Sequence, residues 1–156
     1  MKSVLNKKAS FNYNLLENFE AGVVLTGNEI KQVRAGKASL EESFVTIRNG
    51  EASLVNAHIA PYEKGVFESG GPRRSRKLLL HKKEIDYLFG KLAGSNLTVI
   101  PTKLYFRRGF AKIQIALAYG KKKYDKREAI KKREGQREAQ SLLRKAKLVA
   151  QQQSKN

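Results

Sequence analysis

Phe44-Val45-Thr46-Ile47-Arg48-Asn49-Gly50-Glu51-Ala52-Ser53-Leu54-Val55 decides the fold class. Two runs rich in β-branched and apolar residues flank Asn49-Gly50, a pair that tolerates positive φ and therefore closes a tight hairpin. Further along, residues 97–106 and 110–118 repeat the pattern around Arg107-Arg108-Gly109. Upstream, residues 15–19 and 23–25 are short apolar runs, with Glu20-Ala21-Gly22 expected as a turn or bulge between them. Residues 77–81 read as another strand around Leu78-Leu79-Leu80.

Helical signals are few. Residues 28–35 carry Ile30 and Val33 and end at Gly36, a suitable C-terminal stop. Ser39-Leu40-Glu41-Glu42 has the form of a capping box and predicts a helical turn. Residues 82–92 place Ile85, Leu88, Phe89 and Leu92 at helical spacing, with Gly94 beyond. Residues 63–75 are polar and glycine-rich and contain Pro72, so a long mobile loop is expected. Short strands with brief helices predict a mainly β fold, an OB-like antiparallel β-barrel, whose open face suits nucleic acid. Phe44, Tyr87 and Phe89 are assigned to its core.

The chain has 156 residues, 32 of them Lys or Arg against 14 Asp or Glu, a net charge of +18. Residues 1–120 hold 19 basic and 10 acidic residues, and residues 121–156 hold 13 and 4, so each part carries +9. Apolar content falls at the same place: between residues 121 and 141 only Tyr124, Ala129, Ile130 and Ala139 are apolar. The boundary is therefore set at Gly120, with 1–120 as the barrel and 121–156 as a basic tail, disordered in isolation and helical once phosphates screen its charge. Glu128 and Lys132 favour helix at i,i+4, while Gly135 and the run of like charge oppose it.

A cationic excess of this size needs a polyanionic partner, and release of counterions makes nucleic acid the leading one. Clusters at Lys7-Lys8, Arg73-Arg74-Ser75-Arg76-Lys77, Lys82-Lys83, Arg107-Arg108 and Lys121-Lys122-Lys123 can neutralise phosphates, and neighbouring aromatics can stack on unpaired bases. Tyr13 and Tyr124, in polar surroundings, are the aromatics assigned to recognition. No cysteine is present, which removes thiolate chemistry and thiolate metal sites. The two histidines, His58 and His81, are far apart, and no phosphate loop, GxGxxG, HExxH or GxSxG occurs. A non-enzyme without metal or cofactor is expected, with no small-molecule substrate. Residues 1–11 lack the apolar stretch of a signal peptide and no run is long enough to span a membrane, so the expected setting is cytoplasmic, with no membrane partner.

Five motifs then fall in order: Asn6-Lys7-Lys8-Ala9, Phe19-Glu20-Ala21-Gly22-Val23-Val24-Leu25-Thr26-Gly27-Asn28-Glu29-Ile30-Lys31, Val33-Arg34-Ala35-Gly36-Lys37-Ala38, Arg76-Lys77-Leu78-Leu79-Leu80-His81-Lys82-Lys83-Glu84-Ile85, and Ala118-Tyr119-Gly120-Lys121-Lys122-Lys123-Tyr124-Asp125-Lys126-Arg127. Together they resemble the SsrA-binding protein (small protein B) family. The resemblance implies an OB-type barrel that binds the tRNA-like end of transfer-messenger RNA and delivers it to stalled ribosomes for trans-translation, so that incomplete proteins are tagged for degradation. It implies that the barrel fills the place of an anticodon arm and that the tail lies in the empty messenger channel near the decoding centre. Family RNA-binding positions fall on Tyr13, Glu20, Leu79 and His81, with Lys7, Lys8 and Arg34 as further backbone contacts. In the tail, Lys121, Lys122 and Lys123 are implied phosphate neutralisers beside Tyr124, and Asp125-Lys126-Arg127 matches the segment tied to accommodation on the ribosome. Gly71-Pro72 stands where the family often has Asp-Pro, and Tyr124 is at a variable position.

Overall fold

The computed structural model describes residues 3–65 and 69–154. The chain separates into two compact units, Met1–Gly120 and Lys121–Asn156. Among the described residues the first holds nine strands and three short helices in the order β1 (Val4–Leu5), α1 (Ala9–Asn12), β2 (Tyr13–Val23), α2 (Gly27–Arg34), β3 (Ala38–Ser39), β4 (Phe44–Arg48), β5 (Glu51–Val55), β6 (His58–Ile59), β7 (Arg76–Leu79), α3 (Lys82–Leu92), β8 (Leu97–Arg107) and β9 (Phe110–Gly120). Strands β8, β4, β5, β7, β2 and β9 pair antiparallel in that order, and β9 pairs again with β8, so six strands close into a ring. Full closure leaves no free edge among those six. The short β1 extends β8, and β3 pairs with β6 apart from the ring.

Both expected hairpins are present. Asn49 and Gly50 adopt φ of 52° and 73°, and Arg108 and Gly109 adopt 52° and 81°, placing both residues of each two-residue turn in the left-handed region. Such turns match the twist of the strands they join. Along each strand, alternate side chains enter the core: Ala21 and Val23, Val45, Ala52 and Leu54, Leu78, Val99 and Leu104, Ile113, Ile115 and Leu117 are buried together. Helix α3 adds Leu88 to this cluster and α2 adds Val33. The register of β8 against β9 shifts between Pro101 and Lys103. Proline has no N–H to give the ladder, which accounts for the irregularity there. The Asn6 side-chain amide donates to the Pro101 carbonyl at 2.9 Å.

Several local expectations are corrected. Residues 13–23 form one strand with a bulge between Leu15 and Glu17, so Glu20-Ala21-Gly22 is neither turn nor bulge. Pairing with β9 along its length holds this segment extended. Ser39 to Glu42 makes no helix; Ser39 ends β3 and its hydroxyl accepts from the Glu41 N–H at 3.3 Å. The capping box lies instead at Thr26 and Glu29, which starts α2. Phe44, Tyr87 and Phe89 are 40%, 40% and 58% exposed and do not belong to the core. Phe44 takes the outward phase of its strand, and Tyr87 and Phe89 fall on the solvent side of the Ile85–Leu88 stripe.

Within the expected loop, part of the chain is tied down by charge. Arg76, 1% exposed, lies inside the fold and donates to the Glu29 carboxylate, to the Ala57 carbonyl at 2.7 Å and to the Pro72 carbonyl at 3.0 Å. Arg74 holds the other oxygen of Glu29, its Nε at 2.9 Å. One carboxylate thus joins α2 to β7 and to the segment before it. Residues 66–68, within the loop expected to be mobile, lie outside the described residues.

The second unit is a single helix, α4 (Lys123–Ser154). The tail, expected to be disordered in isolation and helical once its charge is screened, is helical in this structure. Ala, Leu, Lys, Arg, Glu and Gln are the strongest intrinsic helix formers, and no proline follows Pro101. Over 32 residues, propagation offsets the nucleation cost that defeats short helices. Every side chain described from 131 to 153 is exposed, so propensity rather than packing sustains the helix.

Burial pushes the Glu29 carboxyl up, but the hydrogen bonds and charges of Arg74 and Arg76 outweigh it and hold it below its ordinary 4.5. A depressed carboxyl stabilises the fold fully above its unfolded value and loses that contribution as pH falls through the folded one. Urea melts should show Arg76→Ala costing about 3–5 kcal/mol at neutral pH, the cost of an unpaired buried charge. The deficit of Glu29→Gln against the unsubstituted protein should narrow as pH falls below 4.5 and through the depressed folded value, where the unsubstituted protein loses the ion pair that the variant never has. A pH-independent deficit would show that the carboxylate charge is not what joins these elements.

Candidate nucleic-acid interface

The pleat that sends Ala21, Leu78, Leu104 and Ile113 inward turns their neighbours to the outer wall. In lateral register across β7, β2, β9 and β8 stand Leu79, Gly22, Lys112 and Tyr105, and one step along come Glu20, Gln114 and Lys103. Lys77 and Leu79 take the outward phase of β7, and Phe110 that of β9. Leu79 is 56% exposed and Phe110 70%. Gly22 makes this packing possible, since a Cβ there would stand 3.3 Å from Leu79 Cβ.

Glu20 is the acidic centre of this basic, partly apolar face. Tyr105 donates its phenol to Glu20 Oε2, and Arg107 Nη1 lies 3.6 Å from Oε1. Lys103 Nζ sits 5.4 Å from the centre of the Tyr105 ring. Burial, the hydrogen bond to Glu20 and the charge of that carboxylate push the Tyr105 phenol up to about 12. It is therefore a neutral donor throughout the physiological range. A carboxylate among cations repels phosphate and accepts N–H or O–H groups, so the face can grip a backbone and read a base edge or a ribose hydroxyl at once.

The residues expected from the sequence divide into three places. Glu20 and Leu79 meet on this wall. His81, exposed and two residues beyond Leu79 in extended backbone, occupies the N-cap position of α3 without a side-chain cap bond. Arg34, the last residue of α2, lies with its guanidinium 5.2 Å from the Phe106 ring, on the inward phase of β8. Tyr13 is elsewhere: it begins β2, roughly 23 Å from Glu20 at about 3.3 Å per residue, and packs half-buried against Ala9, Ile100 and Ala118. Lys8 lies beside it, paired with Glu41 at 3.5 Å, and both line a cleft with Asn12 and Phe44. Lys7 is exposed next to Lys8. Tyr13 and Glu20 thus cannot hold the same nucleotide.

Lys103, Tyr105, Phe110 and Lys112 on the same wall were not singled out as one site. Alternation along residues 97–118 could have placed them outward together, but only the pairing of β9 with β2 brings them to Glu20. In the tail, Lys121 and Lys122 precede α4, whose first turn is joined by the Lys126 N–H donating to the Lys122 carbonyl at 3.2 Å. Lys126 and Arg127 lie on that helix. The side chains of Lys123, Tyr124 and Asp125 lie outside the described residues. Among the described residues no cluster of His, Asp or Glu could hold a metal, and no helix is long and apolar enough to cross a membrane.

Residues 3–145 match the family model described as SmpB protein. The chain belongs to the SmpB family. It is 51% identical over 140 residues to the SsrA-binding protein of Trichodesmium erythraeum, covering 89% of this chain and 90% of that one. It is 52% identical over 139 residues to the SsrA-binding protein of Streptococcus uberis, with the same coverage. Among solved structures it is similar to a chain from work on tmRNA-SmpB in the bacterial ribosome, with 46% identity, a TM-score of 0.66, and coverage of 82% of this chain and 94% of that one.

Replacing Glu20 by Gln removes the charge that the Tyr105 phenol donates to and should lower the Tyr105 pKa from about 12 toward the ordinary 10. NMR titration of selectively labelled tyrosine would read this among the six tyrosines. An unmoved Tyr105 would show that the phenol and the carboxylate do not meet in solution.

Proposed function

We propose that this chain binds the tRNA-like part of transfer-messenger RNA and brings it to stalled ribosomes for trans-translation. The observation that carries the reading is the outer wall on which Glu20, Leu79, Lys112 and Tyr105 stand side by side, in a chain whose relatives are SsrA-binding proteins. Lys103, Arg107 and Lys112 neutralise phosphates and fix orientation on the backbone. Leu79 and Phe110 offer apolar surface to unstacked bases, and Glu20 accepts from a base or ribose donor. Tyr13, with Lys7 and Lys8, serves a second stretch of the same RNA at the far end of β2.

The ring unit takes the place of an anticodon arm, and the tail enters the empty messenger channel. Helix α4 has the reach for such a role: 32 residues at 1.5 Å each extend about 48 Å. The cations of the tail, Lys121 and Lys122 ahead of the helix and Lys123 at its start among them, suit a phosphate-walled tunnel, with Asp125-Lys126-Arg127 at the tunnel's entry. No step calls for catalysis by this chain.

Binding to a labelled transcript of the tRNA-like domain, followed by fluorescence anisotropy, tests the division of roles. Glu20→Ala, Leu79→Ala and Tyr13→Ala should each weaken binding by about tenfold or more, the scale of one charged hydrogen bond or one base contact. Deleting residues 121–156 should change it far less, while abolishing rescue of stalled ribosomes in a reconstituted translation assay. Equal loss on tail deletion and on the wall substitutions would overturn the two-part reading.

A further inference from the structure

We infer that Tyr105 is the positioning residue for Glu20: its phenol fixes one carboxylate oxygen, so that the other is presented to a neutral N–H or O–H donor of the bound RNA. The inference rests on the proposed binding of a folded RNA and adds a residue and an order of events to it. Glu20 has two partners of unequal quality. The Tyr105 hydroxyl is a direct hydrogen bond to Oε2, between residues 85 apart in sequence, whereas Arg107 approaches Oε1 only to 3.6 Å with its side chain 62% exposed. An exposed ion pair at that distance contributes little and is screened by salt.

The two oxygens therefore differ in what an incoming RNA meets. Oε2 is committed to a phenol that stays neutral and keeps its proton. Oε1 faces an exposed cation whose preferred partner is any phosphate that comes within reach. As RNA docks, the Arg107 guanidinium moves from Oε1 to the backbone, and the freed oxygen accepts from a base or ribose group. Without the phenol, Glu20 is free to rotate toward Arg107 or Lys112 and to satisfy both oxygens within the protein. The ring of Tyr105 has a separate part: it carries Lys103 over its face and is retained in a phenylalanine substitution.

A double-mutant cycle separates positioning from direct contact or scaffolding. Affinity for the tRNA-like transcript is measured for the full chain, Tyr105→Phe, Glu20→Gln and the double substitution, with thermal melting of each. Tyr105→Phe should weaken binding about tenfold in the otherwise unchanged chain, leave the melting temperature within about 2 °C, and have no further effect in the Glu20→Gln background. In a parallel cycle with Leu79→Ala, which shares the wall but not the hydrogen bond, the two losses should multiply. Equal effects of Tyr105→Phe with and without Glu20 would overturn the inference, because the phenol would then act on RNA or on the fold directly. No effect in either background would overturn it as well. Failure of the unsubstituted chain to bind the transcript would instead reject the proposed function, and this inference with it.

Discussion

Strand β9 is hydrogen-bonded on both edges, to β2 over residues 13–22 and to β8 over residues 97–107. That double pairing closes the ring, and its register determines every other feature of the wall. Side chains on a strand alternate with a period of two, so a slip of one residue would turn Ile113 and Ile115 to solvent and carry Lys112 and Gln114 into the core. Burial of the isoleucines therefore also aligns the lysine with Gly22 and the glutamine with Glu20. The register shift at Pro101 adjusts β8 so that Tyr105, and not Leu104, faces outward beside Lys112. A surface assembled from four strands needs no loop to organise it.

The buried carboxylate of Glu29 makes a different kind of constraint. It begins α2 as part of a capping box and at the same time takes both Arg74 and Arg76. Arg76 reaches onward to the carbonyls of Ala57 and Pro72, so two connecting segments hang on one guanidinium. Strand β7 has only four residues, too few to hold the Leu79–His81 segment by ladder bonds alone. The ion pair anchors the start of that strand, and Gly22 receives the side chain at its end. Leu79 is thereby exposed without being loose.

Much of this was legible before the coordinates. Turn chemistry at Asn49-Gly50 and Arg108-Gly109 located both hairpins, and the stripe of Ile85, Leu88 and Leu92 with Gly94 beyond it gave α3 with its observed bounds. The failures share a cause. Glu20-Ala21-Gly22 looked like a break because a charge and a glycine interrupt an apolar run, yet the charge takes the outward phase and the glycine lies under Leu79. Phe44, Tyr87 and Phe89 were put in the core on hydrophobicity; strand phase turns Phe44 out and helix phase turns Tyr87 out, whereas Phe89 shares the spacing of the buried stripe and is exposed at its edge. The grouping of Glu20 with Tyr105 and Lys112 was not legible at all, since it depends on pairing between residues some 90 apart. For the tail, the missing apolar face argued against helix in the free chain, while length and propensity argued for it.

The two units carry the same net charge, and this equality separates attraction from recognition. Phosphate contacts are indifferent to sequence, so +9 on the ring and +9 on the tail draw each toward RNA without telling one RNA from another. What the ring has and the described part of the tail lacks is a carboxylate set among cations beside exposed Leu79 and Phe110, with its geometry held by a phenol. Glu20 lowers the charge of the face it occupies and weakens every non-specific contact there. A neutral N–H or O–H donor would recover that loss, and a phosphate would not. On this wall the positive potential is interrupted beside exposed apolar side chains, an arrangement that favours a neutral donor over a phosphate.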